Sequence, residues 1–127
     1  MALYGRCYLK LSESSKAEVL KQFPPKFSVV YASHITLEHG LLSNTVYRYS
    51  DVSIVGYQST AYLEVLVVAL DGNCTRQSDK KLLHITLSTL PNAPPVCSID
   101  VLSEMLYQPI KLDLQLDVTF QSTLFNS

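Results

Sequence analysis

Polar and apolar residues alternate from the first positions of the chain. Residues 2–9 place Tyr4, Arg6 and Tyr8 on one side and Leu3, Cys7 and Leu9 on the other, which is the period of a strand. Ser12 or Ser14 then caps a predicted helix through Gln22, with Ala17, Val19, Leu20 and Phe23 at roughly helical spacing, and Pro24-Pro25 stops it. From Phe27 to Leu37 the β-branched and aromatic density predicts a strand or strand pair, and residues 40–44 have loop composition. Residues 45–70 hold too many β-branched side chains for a helix and predict two or three strands. Within them "VLVVAL" at 65–70 is apolar on both sides, as in a central strand. Asp71-Gly72-Asn73 is a turn signal, residues 75–81 are polar, and Leu82-Leu83 open a further strand. After the proline-rich link at 90–95, residues 98–106 predict a short helix with Ser98 as N-cap and Asp100 in its first turn. Residues 110–120, "IKLDLQLDVTF", alternate without interruption and predict one long half-buried strand. The coarse order is βαβ, then strands, then βαβ, an α+β chain.

Length and composition narrow the class. A chain of 127 residues is enough for a single domain, 1–127, with one core. Its 47% hydrophobic and 17% charged content is that of a folded protein rather than a disordered one. A net charge of −1 gives no bulk grip on long nucleic acid, although a local pocket for a small anion is compatible with it. The three cysteines, Cys7, Cys74 and Cys97, are odd in number and form no CxxC pair, which argues against a disulfide framework or a cysteine zinc site. "MALYGRCYLKL" lacks the apolar stretch of a signal peptide, and no apolar run is long enough to span a bilayer. The expectation is a soluble, cytoplasmic, membrane-free monomer, in which the Asn73-Cys74-Thr75 sequon arises by chance.

The chain has three histidines, and two of them head the same tetrapeptide, "HITL", at 34–37 and again at 84–87. In a strand His34 and Thr36 project together, as do His84 and Thr86, while Ile35, Leu37, Ile85 and Leu87 face the core. Two imidazoles and two hydroxyls in one volume are what phosphodiester cleavage asks for. One group takes a proton from the attacking oxygen, another returns one to the leaving oxygen, and hydroxyl donors steady the phosphoryl oxygens.

This repeated H-x-T on two strands, with the β-rich flanks, the βα order at both ends and "PVCSIDVL" after the second copy, resembles the 2H phosphoesterase superfamily. That superfamily includes LigT-like RNA phosphodiesterases, the cyclic-phosphodiesterase domains of tRNA ligases, and viral enzymes of immune evasion that degrade cyclic-nucleotide signals. The resemblance implies a compact two-lobed α+β fold, with largely antiparallel sheets flanking a central cleft and two main helices packed outside. It implies His34 and His84 as catalytic acid and base, in either order, and Thr36 and Thr86 as phosphate-binding hydroxyls. The function so implied is metal-independent hydrolysis, with no cofactor, of a cyclic nucleotide phosphodiester. The substrate would be a 2′,3′-cyclic phosphate of RNA or a nucleotide, or a cyclic oligonucleotide signal such as cGAMP. The alternatives are a nucleotide-binding module that uses the same cleft without turnover and an interaction domain in which HITL is strand filler. The motifs lie closer together, 34 to 84, than in many members of that superfamily, which bears on substrate choice more than on chemistry.

Other residues are secondary candidates. Arg6 shares a strand face with Tyr4 and Tyr8 and is the best placed cation for substrate contact, with Tyr4 as a stacking platform. Lys10, Arg48, Lys80 and Lys81 read as solvated charge, and Tyr47, Tyr49, Tyr57 and Tyr107 mostly as packing. His39, one step after Glu38, points away from His34 on a regular strand, so a metal site with His34 is not expected.

Overall fold

In the computed structural model, residues 3–92, 107–112 and 114–125 are described. The chain runs β1 (Tyr4–Leu11), α1 (Glu13–Gln22), β2 (Val29–Val30), β3 (His34–Leu41), β4 (Val52–Ser59), β5 (Leu63–Leu70), β6 (His84–Thr89), β7 (Gln108–Pro109) and β8 (Val118–Leu124). These strands form two antiparallel sheets, ordered β3-β1-β8 and β2-β6-β5-β4-β7. The fold is therefore α+β and sheet-rich, with one helix among the described residues. The helix predicted over 98–106 lies outside them.

Local sequence accounts for most of these elements. Ser12 caps α1, its hydroxyl accepting from the Ser15 amide at 3.1 Å, with Glu13 in the first turn and Lys21 in the last. The buried face of α1 is Ser15 and Val19, four residues apart, whereas Ala17 is exposed. The Ser15 hydroxyl accepts from the Asp117 amide at 2.8 Å, which fastens the helix to the chain entering β8. All eight residues of β5 are buried between β4 and β6, as its unbroken apolar run predicts. Asp71 and Gly72, both at positive φ, turn the chain so that Leu70 pairs with Asn73, a use of the left-handed region natural to Asp-Gly.

One core joins the sheets. Cys7, Leu9, Leu11, Ile35 and Leu37 from the first meet Val52, Ile54, Leu66, Val68, Leu70, Ile85 and Leu87 from the second, with Val19 from the helix. Burial of each aliphatic side chain stabilises by about 1.5–3 kcal/mol, so these residues fix which way each strand faces. A second, smaller cluster, Leu63, Val65 and Val67 with Val55, Leu82 and Tyr107, covers the other side of β5.

The run 27–37 is the strand pair rather than the single strand: β2 pairs with β6, Ala32 takes a left-handed φ of 52°, and β3 then pairs with β1 in the other sheet. The pattern reading needs one correction, again where the chain changes sheet. The run 110–120 divides likewise. Its first half follows β4 through Ile110 N–H to Val55 O (2.9 Å) and Leu116 N–H to Val52 O (3.0 Å), and only from Val118 does it pair with β1. Leu112, Leu114, Leu116, Val118 and Phe120 all turn to the shared core, so the alternation is real although the strand is not continuous.

Candidate functional site

The two HITL strands meet where the sheets adjoin. Val29 and Val30 pair with Thr89 and Ser88 of β6, and the next amides continue the series, Tyr31 to Leu87 O at 3.0 Å and Ala32 to Thr86 O at 2.9 Å. At Ala32, which takes a left-handed φ of 52°, the chain leaves β6, and His34 two residues on opens β3 against β1. The Cα traces of β3 and β6 approach within 8 Å. Because Ile35, Leu37, Ile85 and Leu87 all enter the shared core, strand alternation turns His34, Thr36, His84 and Thr86 to the side away from it. His34, Thr36 and Thr86 are half-buried there, and His84 is 9% exposed.

Strand β1 furnishes the surroundings of His34. Lys10 lies directly opposite His34, and Tyr8 opposite Thr36. The Tyr8 ring meets the His34 ring edge-on, centroids 5.4 Å apart, and the Arg6 guanidinium lies 4.9 Å from the Tyr8 centroid. The Tyr8 hydroxyl donates to Gln121 Oε1 at 3.2 Å, which holds the ring in place from β8. His34 Nδ1 is 3.2 Å from the Ser33 hydroxyl. Burial, and then the charge of Arg6, hold the His34 pKa below its usual 6.5.

His84 is more enclosed. It sits opposite Val67 on β5, and its Nδ1 lies 3.2 Å from the Leu82 carbonyl. A carbonyl only accepts, so Nδ1 carries the hydrogen and Nε2 keeps its lone pair. Burial pushes the His84 pKa down to about 4, against an upward pull from the Leu82 carbonyl and with smaller downward contributions from Arg76 and His34. That His34 is felt at His84 puts the two rings within electrostatic reach of one another.

The structure does not bring every candidate to this place. Tyr4 is exposed, pairs with Leu41, and stands six residues from Lys10, about 20 Å along β1 from the level of His34. Arg6 is nearer and leans over Tyr8. Lys10 and Tyr8, rather than Tyr4, flank the first motif. Their alternation with Arg6 is visible in the sequence, but the register of β1 against β3 is not.

His39 also needs correction. A bulge between Cys7 and Tyr8 in the β1–β3 register sets Glu38 opposite Cys7 and His39 opposite Arg6. His39 therefore shares the outer face with His34 and lies against Phe125, ring centroids 5.1 Å apart, while Glu38 turns inward. There Glu38 accepts from the Ser43 amide (2.9 Å), the Ser43 hydroxyl (2.6 Å) and the Tyr47 hydroxyl. Among the described residues no group of three or more His, Cys, Asp or Glu side chains is arranged to hold a metal ion, and no helix is long and apolar enough to cross a membrane. No family model, curated protein or solved structure matches this chain.

Proposed function

We propose that the chain is a 2H-type phosphodiesterase that hydrolyses a cyclic nucleotide phosphodiester, a 2′,3′-cyclic phosphate or a cyclic oligonucleotide, without a metal. The observation that carries the reading is that β3 and β6 adjoin, with both imidazole–hydroxyl pairs turned away from one shared core. The reading includes the two-lobed cleft and the two outer helices that the resemblance implies.

The differing surroundings of the rings assign the roles. His84, neutral above about pH 4 and with Nε2 unprotonated, is the base. It takes a proton from water as the water oxygen bonds to phosphorus. His34, protonated at the start, gives its proton to the ribose oxygen as that P–O bond breaks. The products are a phosphomonoester and a free hydroxyl, or a linear phosphodiester and terminal phosphate where the ring is an oligonucleotide. Thr36 and Thr86 donate to the non-bridging oxygens, and Lys10, opposite His34, offsets their charge.

The test is turnover of a panel of cyclic substrates resolved by chromatography, in EDTA. His34→Ala and His84→Gln should each reduce turnover by about 10² or more with circular dichroism unchanged. Undiminished turnover in both variants removes the proposal. A second reading, a nucleotide-binding module without turnover, is favoured by the burial of the His84 ring at 9% exposure. It requires saturable binding with no product over hours.

A further inference from the structure

A polar pocket lies beside the loop that leads into β6. Its volume is about 170 Å³, and Leu70 and Leu83 of the shared core form its floor. Leu83 directly precedes His84, the first residue of β6. The wall is the tight antiparallel loop 74–83, closed by Leu83 N–H to Cys74 O (2.7 Å), Arg76 N–H to Lys81 O (2.8 Å) and Lys80 N–H to Arg76 O (3.0 Å).

Arg76 is the unusual residue. It is 3% exposed and lines the pocket, and its Nη1 bonds Asp79 Oδ2 at 3.2 Å, yet its buried Nε has no partner. A buried, unsatisfied guanidinium N–H costs about 1–3 kcal/mol, so Arg76 is held here at some expense to stability. Around it the lining offers mainly groups able to donate: Lys80, Thr75, Gln77, Asn73 and the Tyr49 hydroxyl. Burial, then Asp71 and Cys7, raise the Tyr49 pKa, so its phenol keeps its proton. The neighbouring carboxylates are engaged, Asp79 with Arg76 and Asp71 with the Ser50 and Asp51 amides at 2.9 and 2.7 Å.

We infer that this pocket binds a phosphate group, held by the Lys80 ammonium and the charge of the Arg76 guanidinium. Donors of several kinds on different sides suit a tetrahedral oxyanion better than a planar carboxylate. The volume is that of about five or six waters, enough for phosphate with a small ester substituent and too small for a nucleotide. The lining residues are separate from the two HITL motifs, although the Arg76 charge is felt at His84.

Inorganic phosphate titrated into the full chain at constant ionic strength, followed by ¹H–¹⁵N NMR, tests it. The amides of residues 73–80 and the Arg76 Nε–H resonance should move saturably, with Kd on the order of 1 mM. Arg76→Gln should weaken binding at least tenfold and Lys80→Gly about fivefold. Lys80 sits at φ 63°, which glycine adopts freely, so the second variant keeps the fold and decides the matter if the first does not fold. Methyl phosphate displacing inorganic phosphate would assign the site to a phosphate ester, and failure to displace it would assign the site to the free ion. Shifts that stay linear in concentration, that chloride reproduces, or that persist at the same affinity in Lys80→Gly would overturn the inference.

Discussion

The two imidazoles have the same tetrapeptide around them and different proton affinities. The His84 ring is enclosed and its Nδ1 hydrogen faces the Leu82 carbonyl, while His34 is half-buried between Tyr8 and Ser33 within reach of the Arg6 charge. Under the proposed roles, kcat/KM should rise as pH passes about 4, where His84 loses its proton, and fall as His34 loses its own below 6.5. Arg6→Gln removes a like charge, so the descending limb should move to higher pH, and the His34 Cε1–H titration by NMR should move with it. Lys10→Ala should raise KM several-fold with kcat nearly unchanged, since Lys10 faces His34 across the ladder without lying on the proton path. At this scale the sequence discloses the histidines, the threonines and their inward-facing partners, because alternation within a strand is local. Lys10 and Tyr8 are hidden because their relation to His34 depends on a register between strands that are apart in the chain. The inversion of Glu38 and His39 is hidden because nothing in "HITLEHG" marks the bulge.

At the scale of elements, alternation records which side chains are buried and says nothing about which strand is the neighbour. That is why 110–120 reads as one strand: every second residue is turned inward throughout, yet the segment leaves β4 for β1 midway. The helix cap and the Asp-Gly turn were legible because each is settled within four residues. Close pairing of β1 with β8 has its own requirement at Gly5, where a Cβ would lie against the Thr123 carbonyl well inside van der Waals contact. Gly5→Ala should destabilise by about 1–3 kcal/mol, seen as a lower urea midpoint at constant slope.

At the scale of the whole fold, two carboxylates and one imidazole among the described residues are buried with the sheets. Glu38 is held by Ser43 and Tyr47, and Glu64 by the Lys26 amide, Ser88 and Tyr57. Burial alone would raise the Glu38 pKa, but its three hydrogen bonds bring it below the usual 4.5. The unfolded chain therefore takes up a proton at His84 between pH 6.5 and 4 that the folded chain refuses, and one at Glu38 below 4.5. Stability should be greatest above 6.5 and fall by about 3 kcal/mol by pH 4 on account of His84. A further loss should follow below 4.5 as Glu38 is protonated. Thermal melts across this range check the sign, and His84→Gln should flatten the upper part of the fall while leaving the lower.

The separation of the rings is governed by the joint at Ala32 and Ser33, where the Ala32 amide makes the last bond to β6 and only Ser33 precedes the first residue of β3. The exposed connection at 42–46 lies elsewhere, after β3 has ended. Insertions there can accumulate over generations without disturbing the reactive centre, whereas a single codon added at the joint would put the paired motifs out of step.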